Sequence, residues 1–191
     1  MAVRVHGGKH PKKAFLKYED WFLENIHDNS VIVDIGSNNG FLANHLATKA
    51  SHVYGIELSK TYVDIANHNK AYDNITYYLA DATTFDYSQL GQVDYITLSN
   101  VLEHIQDRVN FIKKIIVLKN PNTKLLIRVP TLERDWISPY LKSLKMPYFL
   151  DPTHYIEHTE DEIKAEVAAS GLRIESLSTK YGEYYLVCSI K

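Results

Sequence analysis

The run Val31-Ile32-Val33-Asp34-Ile35-Gly36-Ser37-Asn38-Asn39-Gly40-Phe41 joins a buried-strand pattern to a turn on which a ligand can rest against backbone. β-Branched residues suit a central parallel strand, while Gly36 and Gly40 permit a sharp bend with no Cβ in the way. Val53-Tyr54-Gly55-Ile56-Glu57 repeats the strand pattern. Glu57 stands twenty-one residues beyond Gly36, a spacing that puts an acid beside ribose hydroxyls. Together the two runs predict the floor of a nucleotide-cofactor site. A dinucleotide would want glycine where Asn38 and Phe41 stand, so the close passage of a pyrophosphate is poorly supported.

The first run resembles motif I of the class I S-adenosylmethionine-dependent methyltransferases, D-x-G-x-G-x-G, with Asp34, Gly36 and Gly40 matching and Asn38 in place of the middle glycine. Asn enters left-handed backbone more readily than most non-glycine residues, so the turn survives, with an amide expected to project towards the ligand. Further matches follow in the family's order: Glu57 with Leu58, then Ala80-Asp81-Ala82 after the strand-like Ile75–Leu79, then the stretch Asp94–Ile105 running from a strand into a helix. The resemblance implies S-adenosylmethionine as cofactor, with Gly36 and Gly40 along its methionine portion and Glu57 on the ribose. It places Asp81 at the adenine amine and Asn100 beside the methionine end, and counts Asp34, Asn38, Leu58 and Ala82 among the cofactor-binding residues. A cationic sulfonium and a zwitterionic amino acid end call for carboxylates and carbonyls rather than a phosphate nest.

Methyl transfer to a hydroxyl benefits from a base. His104, with Glu103 beside it to orient the ring, has that chemistry; the alternative is that Leu102-Glu103-His104-Ile105 only starts a helix, with Glu103 at its positive end. Related O-methyltransferases hold a divalent ion with E-x-x-E-H, but Asn100 replaces the first acid, so no required metal is expected. His154-Tyr155-Ile156-Glu157-His158 fits the H-x-x-E-H zinc-peptidase pattern, which needs one helical face. Pro152 precedes it and a Thr159/Glu162 capping box starts a helix only afterwards, which predicts an extended stretch. His154 or Tyr155 is instead a candidate for the acceptor pocket, with His154 a candidate catalytic residue, and the alternative is ordinary loop packing.

The elements that must position these groups follow from periodicity. Helices are predicted at about 11–27, 40–49, 60–71, 103–118 and 160–170, the last stopped by Gly171, with strands near 31, 53, 75, 93, 123, 172 and 183. The expected fold is α/β: a Rossmann-like, seven-stranded, mostly parallel sheet with helices on both faces, in a single domain over 1–191. Residues 130–156 carry Trp136, Tyr140, Met146, Tyr148 and Phe149 and read either as an acceptor-site insertion or as a satellite apolar cluster or dimer contact. Residues 1–10 form a basic tail, either a solvated end or a lid.

A net charge of −2 leaves no global footprint for nucleic acid, and no run approaches the roughly eighteen apolar residues of a membrane helix. The single cysteine, Cys188, lies in an apolar run and fits a reducing, cytoplasmic setting. The acceptor expected is a small molecule or a glycan methylated on oxygen. The alternatives are a noncatalytic cofactor-binding partner protein and an RNA or protein methyltransferase.

Overall fold

The structure, a computed structural model, describes residues 17–116, 122–149 and 151–191. The basic tail and the first part of the expected lead-in helix lie outside them; what is described of that helix is α1, Tyr18–Glu24. The remaining order is β1 Val31–Ile35, α2 Phe41–Leu46, β2 His52–Glu57, α3 Lys60–His68, β3 Ile75–Leu79 and β4 Tyr95–Ser99. Then come α4 Arg108–Ile115, β5 Lys124–Pro130, α5 Ile137–Ser143, α6 Glu160–Ala169, β6 Leu172–Lys180 and β7 Glu183–Ile190.

All seven expected strands form one sheet in the order β3-β2-β1-β4-β5-β7-β6. The first five are parallel, and β7 enters antiparallel between β5 and β6. Residues alternate between two apolar layers, as a strand buried on both faces requires. Val33, Ile35, Ile96, Leu98, Leu125 and Ile127 meet Phe111 and Ile112 of α4 and Ile163 and Val167 of α6. On the other side Ile32, Val53, Tyr95, Leu126 and Val187 meet Phe22 of α1 and Leu42 and Leu46 of α2. Cys188 is wholly buried in the first of these layers, where burial pushes its thiol up to about 12.

The sheet order reverses at β1, whose neighbours are β2 and β4. The crevice beyond the carboxyl ends of these strands is where open α/β sheets take ligands. Two helix predictions behave differently. Thr159 and Glu162 make the reciprocal capping box that starts α6, with Gly171 at φ +83° just past its end. The helix expected over 103–118 is instead broken: Leu102–His104 form one 3-10 turn, Ile105 is extended, and α4 starts only when Asp107 accepts from the Asn110 N–H. A side-chain cap downstream thus outcompetes continuation of the first turn, and Glu103 does not sit at an α-helix N-terminus.

Candidate functional site

β1 delivers the chain to Gly36 at φ +71°, and Asn38 follows at φ +49°. The left-handed Asn is as expected, but its amide folds back, with Oδ1 accepting from the Asn39 N–H at 2.8 Å, rather than simply projecting outward. Glu57, at the end of β2, ties the turn down: one carboxylate oxygen accepts from the Asn38 N–H (2.9 Å) and the other from the Ser59 N–H (2.8 Å). Asp81 organises the turn after β3 in the same manner, accepting from the Thr83 N–H and hydroxyl.

A cleft of ≈ 380 Å³ runs over these strand ends, its walls including Gly36, Asn38, Glu57, Leu58, Asp81, Ala82, Asn100 and His104. Two expected cofactor residues are not on its wall. Gly40 is buried, and a Cβ there would run into the Tyr77 hydroxyl, so its glycine serves packing and the start of α2. Asp34 lies beneath the floor, 1 % exposed, taking a 2.7 Å hydrogen bond from the Thr97 hydroxyl. Burial pushes its carboxyl up to about 7 although that bond opposes the shift. The strand alternation that buries Ile32 also turns Asp34 away from the crevice.

The cleft's described lining contains no Lys or Arg, while Glu57 and Asp81 contribute carboxylates. Asn100, held at φ +56°, keeps Oδ1 buried without a hydrogen-bond partner, an acceptor lacking its donor. This donor set fits a ligand with ribose hydroxyls and cationic groups and gives little to a pyrophosphate.

At the mouth of β4, His104 is exposed and Glu103 is wholly buried. Burial pushes the Glu103 carboxyl up to about 8. The ring of His104 is oriented differently from expectation: its Nδ1 meets the Thr153 hydroxyl at 2.9 Å, not Glu103. Thr153 arrives because the Tyr155 N–H donates to the Glu103 carbonyl at 2.8 Å, folding residues 151–155 over the 3-10 turn. His154 stands against His104 with ring centroids 4.7 Å apart at 76°. Glu103, His104 and His154 each offer a ligand-type atom within 4.8 Å of the others, a third donor that the spacing of the sequence could not reveal. His158, by contrast, is buried and paired with Glu166 at 3.0 Å. The two histidines of the H-x-x-E-H stretch therefore serve different places, on a segment that is not helical.

A methyltransferase-domain family matches this chain over residues 11–177. The chain belongs to the S-adenosylmethionine-dependent methyltransferases. Among relatives of this family, the ubiquinone biosynthesis O-methyltransferase of Aromatoleum aromaticum is 26% identical over 121 residues, covering 62% of this chain and 51% of the relative. The chain thus spans about half the length of that relative. The fold is shared with a S-adenosylmethionine-dependent methyltransferase from Aquifex aeolicus (TM-score 0.73, 14% identity, covering 100% of this chain and 99% of that one). It is shared too with magnesium protoporphyrin IX methyltransferase from Synechocystis, solved with bound S-adenosylhomocysteine (TM-score 0.69, 20% identity, 94% and 83% covered). The cofactor of this methyltransferase family is the one that the acidic cleft suits.

Proposed function

We propose that the protein methylates an oxygen of a small molecule or a sugar, with His104 as the base. The observation that carries this reading is the pairing of an acidic cleft, whose described lining has no Lys or Arg, with an exposed imidazole on its rim. Glu57 would hold the ribose, Asp81 the adenine edge, and Asn100 with Gly36 the methionine end. When bound, the cofactor supplies an electrophilic methyl group and a neutral thioether leaving group. The chain's part is to orient the acceptor in line and take its proton. The oxygen preference is supported by the name of the Aromatoleum relative, an O-methyltransferase. Residues 130–156 would shape acceptor access, with Tyr155 beside His104 in the adjoining hollow.

The reading needs no metal. Glu103 is the only carboxyl in the Glu103–His104–His154 group, and Asn100 stands where related metal sites have an acid. One acid with two imidazoles is a weak hold on the hard divalent ions.

Calorimetry with S-adenosylhomocysteine, with NAD as comparison ligand, tests the cofactor half. Glu57→Ala should weaken binding roughly 100-fold, since it removes charge-assisted contacts worth about 3 kcal/mol together. An acceptor screen with and without EDTA tests the rest: His104→Gln should lower kcat roughly 100-fold while cofactor affinity stays. Turnover that survives His104→Gln would overturn the base assignment, and turnover lost to EDTA would overturn metal independence.

A further inference from the structure

We infer that Asp151 and Thr153 are positioning residues that fix His104 in the tautomer with its proton on Nδ1 and its lone pair on Nε2. This rests on the reading of His104 as the base.

The Thr153 hydroxyl makes two short contacts, 2.7 Å to Asp151 Oδ1 and 2.9 Å to His104 Nδ1. A hydroxyl has one hydrogen to give, and an ionised carboxylate has none. The Thr153 hydroxyl and backbone N–H both donate to Asp151 and hold its carboxyl below the usual carboxylate range, so it is the acceptor of the pair. Thr153 has then spent its hydrogen and can only accept from His104. Nδ1 must carry the proton, and Nε2 is left as the basic nitrogen.

The ring is also held in plane. His154 packs edge-to-face against it, and the Tyr155 N–H to Glu103 carbonyl bond fixes the segment that brings Thr153 into reach. A proton given up by an acceptor hydroxyl goes to Nε2. The imidazolium charge is then offset through Nδ1–H···Oγ–H···Oδ1 by the Asp151 carboxylate, and the exposed ring returns the proton to water. Orientation of a catalytic histidine by the partner on its other nitrogen is a general device. Here the partner is a carboxylate acting through a threonine forty-nine residues away in sequence.

The test reads the tautomer directly. Two-bond proton–nitrogen correlations on 15N-histidine-labelled protein, recorded at about pH 8.5 where imidazoles are largely neutral, report which nitrogen of His104 carries hydrogen; His104→Gln assigns the signal. Wild type should show Nδ1–H. Thr153→Val removes the acceptor while keeping shape and should shift the population towards Nε2–H. Asp151→Ala frees the Thr153 hydrogen to turn to Nδ1 and should do the same. Thr153→Ser should restore the wild-type signal.

Once an acceptor is in hand, Thr153→Val should lower kcat roughly tenfold, part of the hundredfold or more that a positioned base contributes, with cofactor affinity unchanged and Thr153→Ser rescuing. An Nε2–H signal in wild type, or no change in Thr153→Val, overturns the relay whatever the reaction proves to be. Failure of the function reading is distinct: it appears as absent S-adenosylhomocysteine binding or an indifferent His104→Gln variant.

Discussion

Asp34 makes an acidic motif position behave as an internal titrating group. Its ordinary value of 3.8 rises to about 7 in the fold. Below about pH 4 both folded and unfolded chains hold the proton, and the fold carries no penalty from this residue. Between about pH 4 and 7 the unfolded chain releases a proton that the fold retains, so this contribution to stability falls as pH rises and is lost above about 7. Asp34→Asn keeps an oxygen for the Thr97 hydroxyl and removes the ionisation. Urea midpoints measured from about pH 5 to 8 should fall less in the variant than in wild type; parallel curves would refute the shift.

Gly36, Glu57 and Asp81 on the cleft wall were legible because backbone conformation and strand register announce themselves within a few residues. Glu57 could be placed from spacing alone. Thr153 could not, because its contact with His104 joins two segments through a backbone hydrogen bond, Tyr155 to Glu103, that leaves no local pattern. Asp34, expected among the cofactor-binding residues, lies beneath the cleft floor instead. A motif names the residue, but strand alternation decides which way it faces.

Among the elements, β5 and β7 carry the least expected feature, a buried ion pair close to the functional end of the sheet. Arg128 donates to both oxygens of Glu183, at 2.6 and 3.0 Å, and to the Ser99 hydroxyl at 2.9 Å, while its guanidinium lies 4.1 Å over the Tyr18 ring. The side chains are only 10% and 7% exposed. Leaving either charge without its partner costs about 3–5 kcal/mol, whereas exchanging both for apolar residues is close to neutral. Arg128→Met should therefore be severely destabilised in urea unfolding, and Arg128→Met with Glu183→Leu should recover most of the loss. An additive double variant would mean that the charges are not coupled.

Element boundaries were readable wherever a cap has a local signature, as with Thr159 and Glu162. They failed over 103–118, where the cap at Asp107 competes with a run that is otherwise continuous in helical character. That break matters at the site, since it leaves His104 on an isolated turn free to meet residues 151–155.

At the scale of the molecule, a seven-stranded, mostly parallel sheet was legible in seven short strands and the motif order, whereas the strand order β3-β2-β1-β4-β5-β7-β6 came only with the structure. Acceptor identity was not legible, because exposed aromatic residues such as Trp136 and Tyr140 suit many partners equally. The inserted hairpin strand β7 has a further use. It carries the chain's one sulfhydryl, paired across the sheet with Leu125 on one side and Ile174 on the other. An alkylating reagent such as iodoacetamide can reach Cys188 only when these strands part, so modification becomes a stopwatch for global opening. Under native conditions the labelling rate, divided by that of the urea-unfolded chain, should match the unfolding equilibrium from denaturant curves. Saturating S-adenosylhomocysteine should slow it by the factor that mass action sets for a ligand binding only the folded state. A single thiol thereby offers an affinity measurement that requires no acceptor, no turnover and no added label in the cleft.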